Sequence, residues 1–346
     1  MSELFTTALL SGVFAACVAI AVTRVIELLG GQLGGVLASM PTTVVPASIG
    51  FAMVAGFPVQ GALPDDARPA LLTAACFTVP SGMLVSAIFL TVWRYAPPML
   101  PATWPLRRAL PFMVVMSLAV WAACAAVSIS ISKSVENPVG YGSFCYALHA
   151  CVALGVTWRH KAAPRGASTV PTRALLLRGA LAGLAIFFSV LLSAAGDGGV
   201  MGGMASTFPA IFLSIQLSLW VSSGGAVQGG AVGPVMLGAV SVSTFAMLFS
   251  GFAPLWGIAP AAAVSWVGAV ALVSVPAFLW LTWRGTAAGA AATGAGLEAV
   301  AAAARPPAEA PVEAQPVEAQ PADLEKNCGV TCKTNCVVSA LSIYRS

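Results

Sequence analysis

Three ionisable residues lie at or near the ends of long apolar stretches, each beside a glycine-rich segment. Arg24 and Glu27 are one helical turn apart before the first segment, and Asp197 directly precedes the second. A charge near the membrane centre costs roughly 2.5 to 3.5 kcal/mol on insertion scales, so such residues usually have a function. We interpret Glu27 and Asp197 as candidate cation or proton sites and Arg24 as a candidate anion contact. In the alternative, Arg24 pairs with Glu27 at the interface and Asp197 caps the next helix.

The two glycine-rich segments form an internal repeat. Residues 30–41, which read GGQLGGVLASMP, align without gaps on residues 198–209, which read GGVMGGMASTFP. Glycine tolerates sharp turns and close backbone contacts, and proline weakens helical hydrogen bonding, so freed backbone groups could face a solute. In the alternative, the glycines only let helices pack closely. The predicted pathway comprises Glu27, Gly30, Gly31, Gly34, Gly35, Ser39, Pro41, Thr42, Thr43, Asp197, Gly198, Gly199, Gly202, Gly203, Ser206, Thr207 and Pro209, with Gln216 as a further neutral ligand.

Composition identifies the elements that must position these residues. Hydrophobic residues make up 58% of the 346 residues, charged residues only 8%, and the mean hydropathy is +0.90. A soluble domain needs more surface charge than this. Apolar stretches of roughly 20 residues, enough to cross a bilayer as a helix, recur without the alternation of barrel strands. We predict an all-helical integral membrane protein with nine spans, at residues 4–29, 34–57, 70–93, 109–130, 139–158, 174–195, 202–222, 231–251 and 261–283.

The charge distribution favours nine spans and orients them. Nine spans place ten basic residues on one side of the membrane and two on the other. The positive-inside rule then puts the N-terminus outside and the C-terminus in the cytoplasm. The net charge of +4 is therefore interpreted as a determinant of topology and not as a nucleic-acid surface. The ten are Arg24, Arg94, Arg107, Arg108, Arg159, Lys161, Arg165, Arg173, Arg178 and Arg284, and the two are Arg68 and Lys133.

The repeat and the fifth span together predict two inverted halves. Each glycine-rich segment follows one long apolar helix, begins the next and precedes two further spans, so the repeating unit has four helices. Because the linker contributes a single span, the second unit enters the membrane from the opposite side. Inverted repeats are typical of transporters, whose solute path lies near the bilayer midplane between the repeats. The predicted parts are a first repeat at 1–131, the linker at 132–173, the inverted repeat at 174–285 and a disordered cytoplasmic tail at 286–346.

The tail ends in three cysteines. Alanine, glycine and proline dominate from Thr286, and residues 311–321 read PVEAQPVEAQP, which is typical of disorder. Cys328, Cys332 and Cys336 are four residues apart, so a helix would place them on one face. They are candidates for lipidation, whereas a metal site would need a further ligand. The simpler interpretation is three reduced thiols without a role.

Short motifs recur at similar places in the two copies. They are MPTT at residues 40–43, LP at 110–111, VW at 120–121, FP at 208–209, AP at 259–260 and SW at 265–266. This order resembles the GlpM family of small four-span bacterial membrane proteins, here duplicated and fused. The resemblance implies a fold more than a reaction. Two four-span units joined by a linker helix are also similar in architecture to eukaryotic fluoride channels, although the hallmark motifs of those channels are not recognisable here.

Catalytic motifs are absent from the sequence. There are no paired carboxylates, no nucleophile elbow, no HExxH and no phosphate-binding loop, and only two histidines. We therefore expect no enzyme activity, cofactor or metal. The predicted function is a transporter or channel for a small solute or ion, with proton coupling as one option. The alternative is a noncatalytic membrane scaffold whose cytoplasmic tail recruits partners.

Overall fold

The computed structural model describes residues 2–29, 41–60, 67–101, 103–158, 172–194 and 199–284, and the regular structure in these ranges is helical. A short 3₁₀ turn, Pro97–Met99, follows the third helix. The last helix passes through a π-helical turn, Val270–Ser274, and continues as an α-helix over residues 275–284. The α-helices in chain order are α1 (Ser2–Leu29), α2 (Val44–Val54), α3 (Pro69–Tyr95), α4 (Leu106–Ser134), α5 (Pro138–Trp158), α6 (Thr172–Ser193), α7 (Val200–Ser206), α8 (Ala210–Trp256) and α9 (Ile258–Ala269).

Eight helical stretches in the described ranges are long and apolar enough to cross a membrane. This confirms the prediction of an all-helical, multi-pass membrane protein. The remaining predicted span, at 34–57, is represented by the 11-residue α2, and residues 30–40 lie outside the described ranges. A total of nine spans therefore stays a prediction. The eight are Glu3–Ala21, Pro69–Tyr95, Leu106–Ser134, Pro138–Trp158, Leu175–Ser193, Val200–Val221, Val227–Trp256 and Ile258–Arg284.

Helix α8 reverses direction within its 47 residues. A straight helix of that length would measure about 70 Å, more than twice the hydrocarbon thickness of a bilayer. The amide groups of Gln216 and Gln228 are 2.5 Å apart, although a straight helix would separate these residues by about 18 Å. The chain must therefore turn back between them. We call residues 210–221 the first limb of α8 and Val227–Trp256 its second limb.

The first helices of the two predicted repeats, α1 and α6, pack closely and antiparallel. A Cβ atom on Gly12 would lie 2.8 Å from the carbonyl oxygen of Gly183, and the reciprocal distance is also 2.8 Å. Further along α1, Ala16 and Ile20 contact Gly179, which lies earlier in α6. Residue numbers thus rise along one helix as they fall along the other. Glycine is required at this crossing because any side chain would force the backbones apart.

The third helices of the two repeats, α3 and the second limb of α8, are also antiparallel. The hydroxyls of Thr73 and Ser250 are 3.4 Å apart at one end, and at the other end Gln228 donates to the Trp93 carbonyl at 3.2 Å. These two helices are the most enclosed candidate spans: 72% of the residues in the apolar segment of each are buried, against 22% for α4. They form the centre of the bundle.

The linker helix α5 crosses the bundle beside this central pair. It packs parallel to α3, since Gly142 abuts Phe77 near the start of both helices, and Thr157 and Arg94 both border Gly233 near their ends. The Thr244 hydroxyl donates to the Tyr146 hydroxyl at 3.2 Å and joins α5 to the second limb of α8. The predicted fifth span is thus one of the eight candidate spans, and it contacts both central helices.

Three of the predicted cytoplasmic arginines lie at one end of the bundle. Arg94 borders Gly233, and Arg178 donates to the Ser218 hydroxyl at 2.8 Å in the first limb of α8. Arg284 donates to the Trp158 carbonyl at 2.6 Å, and its guanidinium lies 4.2 Å from the centre of the Trp158 ring. This end also contains the turn of α8. Tryptophan and arginine together are typical of a membrane interface.

Candidate functional site

Many residues of the predicted pathway lie outside the described ranges. The positions of Arg24 and Glu27 fall within α1, but their side chains are not described. The predictions for these residues, and for the tail, therefore stay predictions. Outside the described ranges are Gly30, Gly31, Gly34, Gly35, Ser39, Asp197, Gly198, Cys328, Cys332 and Cys336.

The described glycines of the second motif are in close contact with neighbouring backbone. Gly199 has φ +88°, and a Cβ atom on it would lie 2.6 Å from the Leu71 carbonyl oxygen. A Cβ atom on Gly202 would lie 2.8 Å from the Ser189 carbonyl oxygen, and one on Gly203 would overlap the carbonyl of Ala75. The geometry favours the packing alternative at these three positions. Their part in a pathway remains a prediction.

The polar groups at the break between α7 and α8 are satisfied by one another. Ser206 and Thr207 donate their hydroxyls to the carbonyls of Gly203 and Met204, both at 2.7 Å. Ser86 of α3 donates to the Thr207 carbonyl at 3.0 Å. Backbone groups inside a bilayer need partners within the protein, and these hydroxyls supply them where Pro209 interrupts the helix. The break is therefore a stable part of the fold.

The first copy is interrupted at the equivalent proline. Pro41 is buried, and Thr42 and Thr43 form a turn before α2 begins at Val44. In the alignment Pro41 corresponds to Pro209, which directly precedes α8. Both copies thus start a helix just after the aligned proline.

A pair of glutamines lies between the two limbs of α8. Gln216 and Gln228 are fully buried. Gln228 donates from its amide nitrogen to the Trp93 carbonyl at 3.2 Å and to the Gln216 oxygen at 2.5 Å. Gln216 Nε2 and Gln228 Oε1 have no hydrogen-bond partner among the described residues. A buried polar atom without a partner lowers the free energy of unfolding by about 1 to 3 kcal/mol, so these two atoms destabilise the fold.

The orientation of both amides follows from one backbone group. A carbonyl oxygen only accepts hydrogen bonds, so the nitrogen of Gln228 must face Trp93, and the oxygen of Gln216 must then face that nitrogen. One amide nitrogen and one amide oxygen are left over. Standard covalent geometry places them within about 7 Å of each other, close enough for one small molecule to contact both. The indole nitrogen of Trp93 is another buried donor without a partner among the described groups.

A surface cavity of about 260 Å³ lies beside Trp220, four residues along the first limb from Gln216. Trp220 of the first limb lines the cavity and also packs edge-to-face on Trp93, with ring centres 5.8 Å apart. Trp220 therefore contacts both the cavity and the residue that holds Gln228. The remaining lining residues come from the segment after α3 and the start of α4, namely Pro97, Leu100, Pro101, Trp104, Leu106 and Ala109.

Two arginines are the charged groups described near the limbs that hold the glutamine pair. Arg178 is only 9% exposed and donates to the Ser214 carbonyl at 3.2 Å, two residues before Gln216 and on the opposite face of the first limb. One guanidinium nitrogen of Arg94 is buried beside Gly233. Among the acidic side chains that the structure describes, Glu3 and Glu136 are both exposed. The described surroundings therefore offer a cation no counter-charge.

Comparison with protein-family models, with curated protein sequences and with solved structures gives no match. The resemblances to the GlpM family and to the architecture of fluoride channels therefore stay predictions, and the function must be argued from the site itself.

The glutamine pair was only half anticipated by the sequence. Gln216 was predicted as a neutral ligand, whereas Gln228 was missed, because it lies between the predicted spans 202–222 and 231–251. One of the two histidines, His149, is 1% exposed in α5. Within the described residues, no group of three histidine, cysteine or acidic side chains could hold a metal ion.

Proposed function

We propose that this protein is a transporter or channel that carries a small solute or ion across a membrane, between two inverted repeats. The observation that carries the proposal is the buried Gln216–Gln228 pair at the end of the bundle that contains the turn of α8, where one amide donor and one amide acceptor have no partner among the described residues. Buried polar atoms without partners are costly, and polar groups that converge beside a pocket are typical of a binding site.

The packing of corresponding helices supports the inverted arrangement. Helix α1 runs antiparallel to α6, and α3 runs antiparallel to the second limb of α8, as a two-fold axis in the membrane plane requires. Interruptions at the aligned residues Pro41 and Pro209 add to this support, since broken helices are common at transporter binding sites.

Reporter tags test the topology on which the proposal rests. We expect tags inserted after Pro101 and after Gly225 to lie in the cytosol, and a tag at Asn137 to lie outside. Arg94, Arg178 and Arg284 at one end of the bundle support this orientation through the positive-inside rule. Detection of the Asn137 and Pro101 tags in the same compartment would contradict the inverted arrangement.

Flux through reconstituted protein tests transport itself. Full-length protein in liposomes should raise the permeability to at least one of potassium chloride, urea and a proton gradient above that of protein-free liposomes. A variant with both Glu27→Gln and Asp197→Asn removes the two carboxylates and retains side-chain size. Loss of proton-linked flux in this variant, with unchanged thermal unfolding, would assign the coupling role to these residues.

The second candidate is a membrane scaffold, which the tight packing of Gly199, Gly202 and Gly203 favours. In that case no solute in the panel crosses faster than through protein-free liposomes. Deletion of residues 286–346 would then abolish the physiological role, whereas a transporter would retain its flux without the tail.

A further inference from the structure

We propose that the Gln216–Gln228 pair binds one small neutral solute of the carboxamide or urea class, which reaches it from the cavity beside Trp220. The inference rests on the proposed transport function and names its substrate class.

The unused hydrogen-bonding groups match this class. Gln216 Nε2 and the indole nitrogen of Trp93 are donors, and Gln228 Oε1 is an acceptor, and none of the three has a partner among the described residues. A carboxamide carries one carbonyl oxygen, which accepts two hydrogen bonds, and an amino group, which donates. The free groups of the site thus correspond in type to those of the solute. Sites built on such paired polar groups discriminate strongly against analogues that lack them.

The charges near the site disfavour ions of either sign. A cation would find no buried carboxylate among the described residues to balance its charge. An anion would be repelled by the free oxygen of Gln228, which carries a partial negative charge and can only accept hydrogen bonds. The buried nitrogen of Arg94 offers an anion little help, because it borders Gly233, more than one helical turn beyond Gln228. A neutral solute avoids both penalties.

The position of Trp220 indicates the route by which the solute reaches the glutamines. The glutamines are fully buried, while Trp220 lines a surface cavity of about 260 Å³ and contacts Trp93 through its ring. A solute in the cavity would reach the amides once the Trp220 ring turns aside. The bulk of this ring should therefore limit the rate of entry.

Stopped-flow light scattering on proteoliposomes tests the proposal with urea and acetamide as probes and potassium chloride as the ionic control. Wild-type protein should raise urea permeability about tenfold or more over protein-free liposomes, and the double variant Gln216→Leu with Gln228→Leu should return it to background. Gln60→Leu replaces an exposed glutamine outside the site and should leave the rate unchanged. Trp220→Ala should raise the urea rate, whereas Trp104→Ala, on the cavity wall away from Trp93, should change it less.

The outcomes separate this inference from the proposed function. Wild-type permeability to potassium chloride or water without urea would overturn the substrate class and leave transport standing. An unchanged urea rate in the folded double variant would overturn the site, and an unchanged rate in Trp220→Ala would overturn the entry. Absence of any flux from the wild type would overturn the transport proposal together with the inference.

Discussion

Two polar regions of the same bundle use their hydrogen bonds differently. At the break between α7 and α8, the hydroxyls of Ser86, Ser206 and Thr207 each donate to a backbone carbonyl. In the glutamine pair, each amide keeps one atom without a partner among the described residues. Thr207 and both glutamines are buried, so exposure does not explain the contrast. The hydroxyls at the break thus stabilise the fold through hydrogen bonds, whereas the proposed function of the glutamine pair depends on the two atoms that have no such partner.

The largest expected effect comes from filling the packed region. A Gly203→Val variant drives a side chain into the Ala75 backbone and should lose about 3 kcal/mol of unfolding free energy or fail to fold. Gly229→Val is the matched control, because no heavy atom lies within 4 Å of its Cβ position. Thermal unfolding in detergent measures both. Equal loss in the two variants would remove the packing role from the second motif.

Breaking the glutamine pair on one side should have a smaller effect. Gln228→Leu leaves the Trp93 carbonyl and the whole Gln216 amide unpaired, so it should cost about 2 kcal/mol. Adding Gln216→Leu removes the stranded amide and should recover about 1 kcal/mol of that loss. The double variant should thus unfold at a higher temperature than the single Gln228→Leu variant. Additive losses would mean that the two amides do not act as a pair.

The smallest effect should come from one hydroxyl at the break. Ser86→Ala leaves the Thr207 carbonyl without its donor and should cost about 1 kcal/mol. Ser130→Ala is the control, since Ser130 is exposed and donates only to a carbonyl within α4 at 2.9 Å. The two unfolding temperatures distinguish the cases. A Ser86 variant as stable as the control would show that the break does not need this donor.

The sequence predicted most helices closely and the glutamine pair poorly, for a physical reason. Apolar length alone determines a span, so predicted spans such as 70–93 and 174–195 agree within two residues with α3 and α6. The interruption before Ala210 lies inside the predicted span 202–222. Pro209 indicated weakened helical hydrogen bonding there, but apolar length alone did not show that the span is divided into two helices. The partner of Gln216 depends on where α8 turns back, which is a tertiary event. No local sequence pattern around Gln228 predicts that it pairs with Gln216.

The reversal of α8 also matters while the chain is being made. Gln216 and Gln228 belong to one continuous hairpin, so they can bond as soon as the two limbs enter the membrane together. Trp93 precedes both in the chain, and its carbonyl is already in place when Gln228 arrives. Lipid therefore need not accept either amide alone, and insertion of the hairpin costs less than insertion of two separate polar helices.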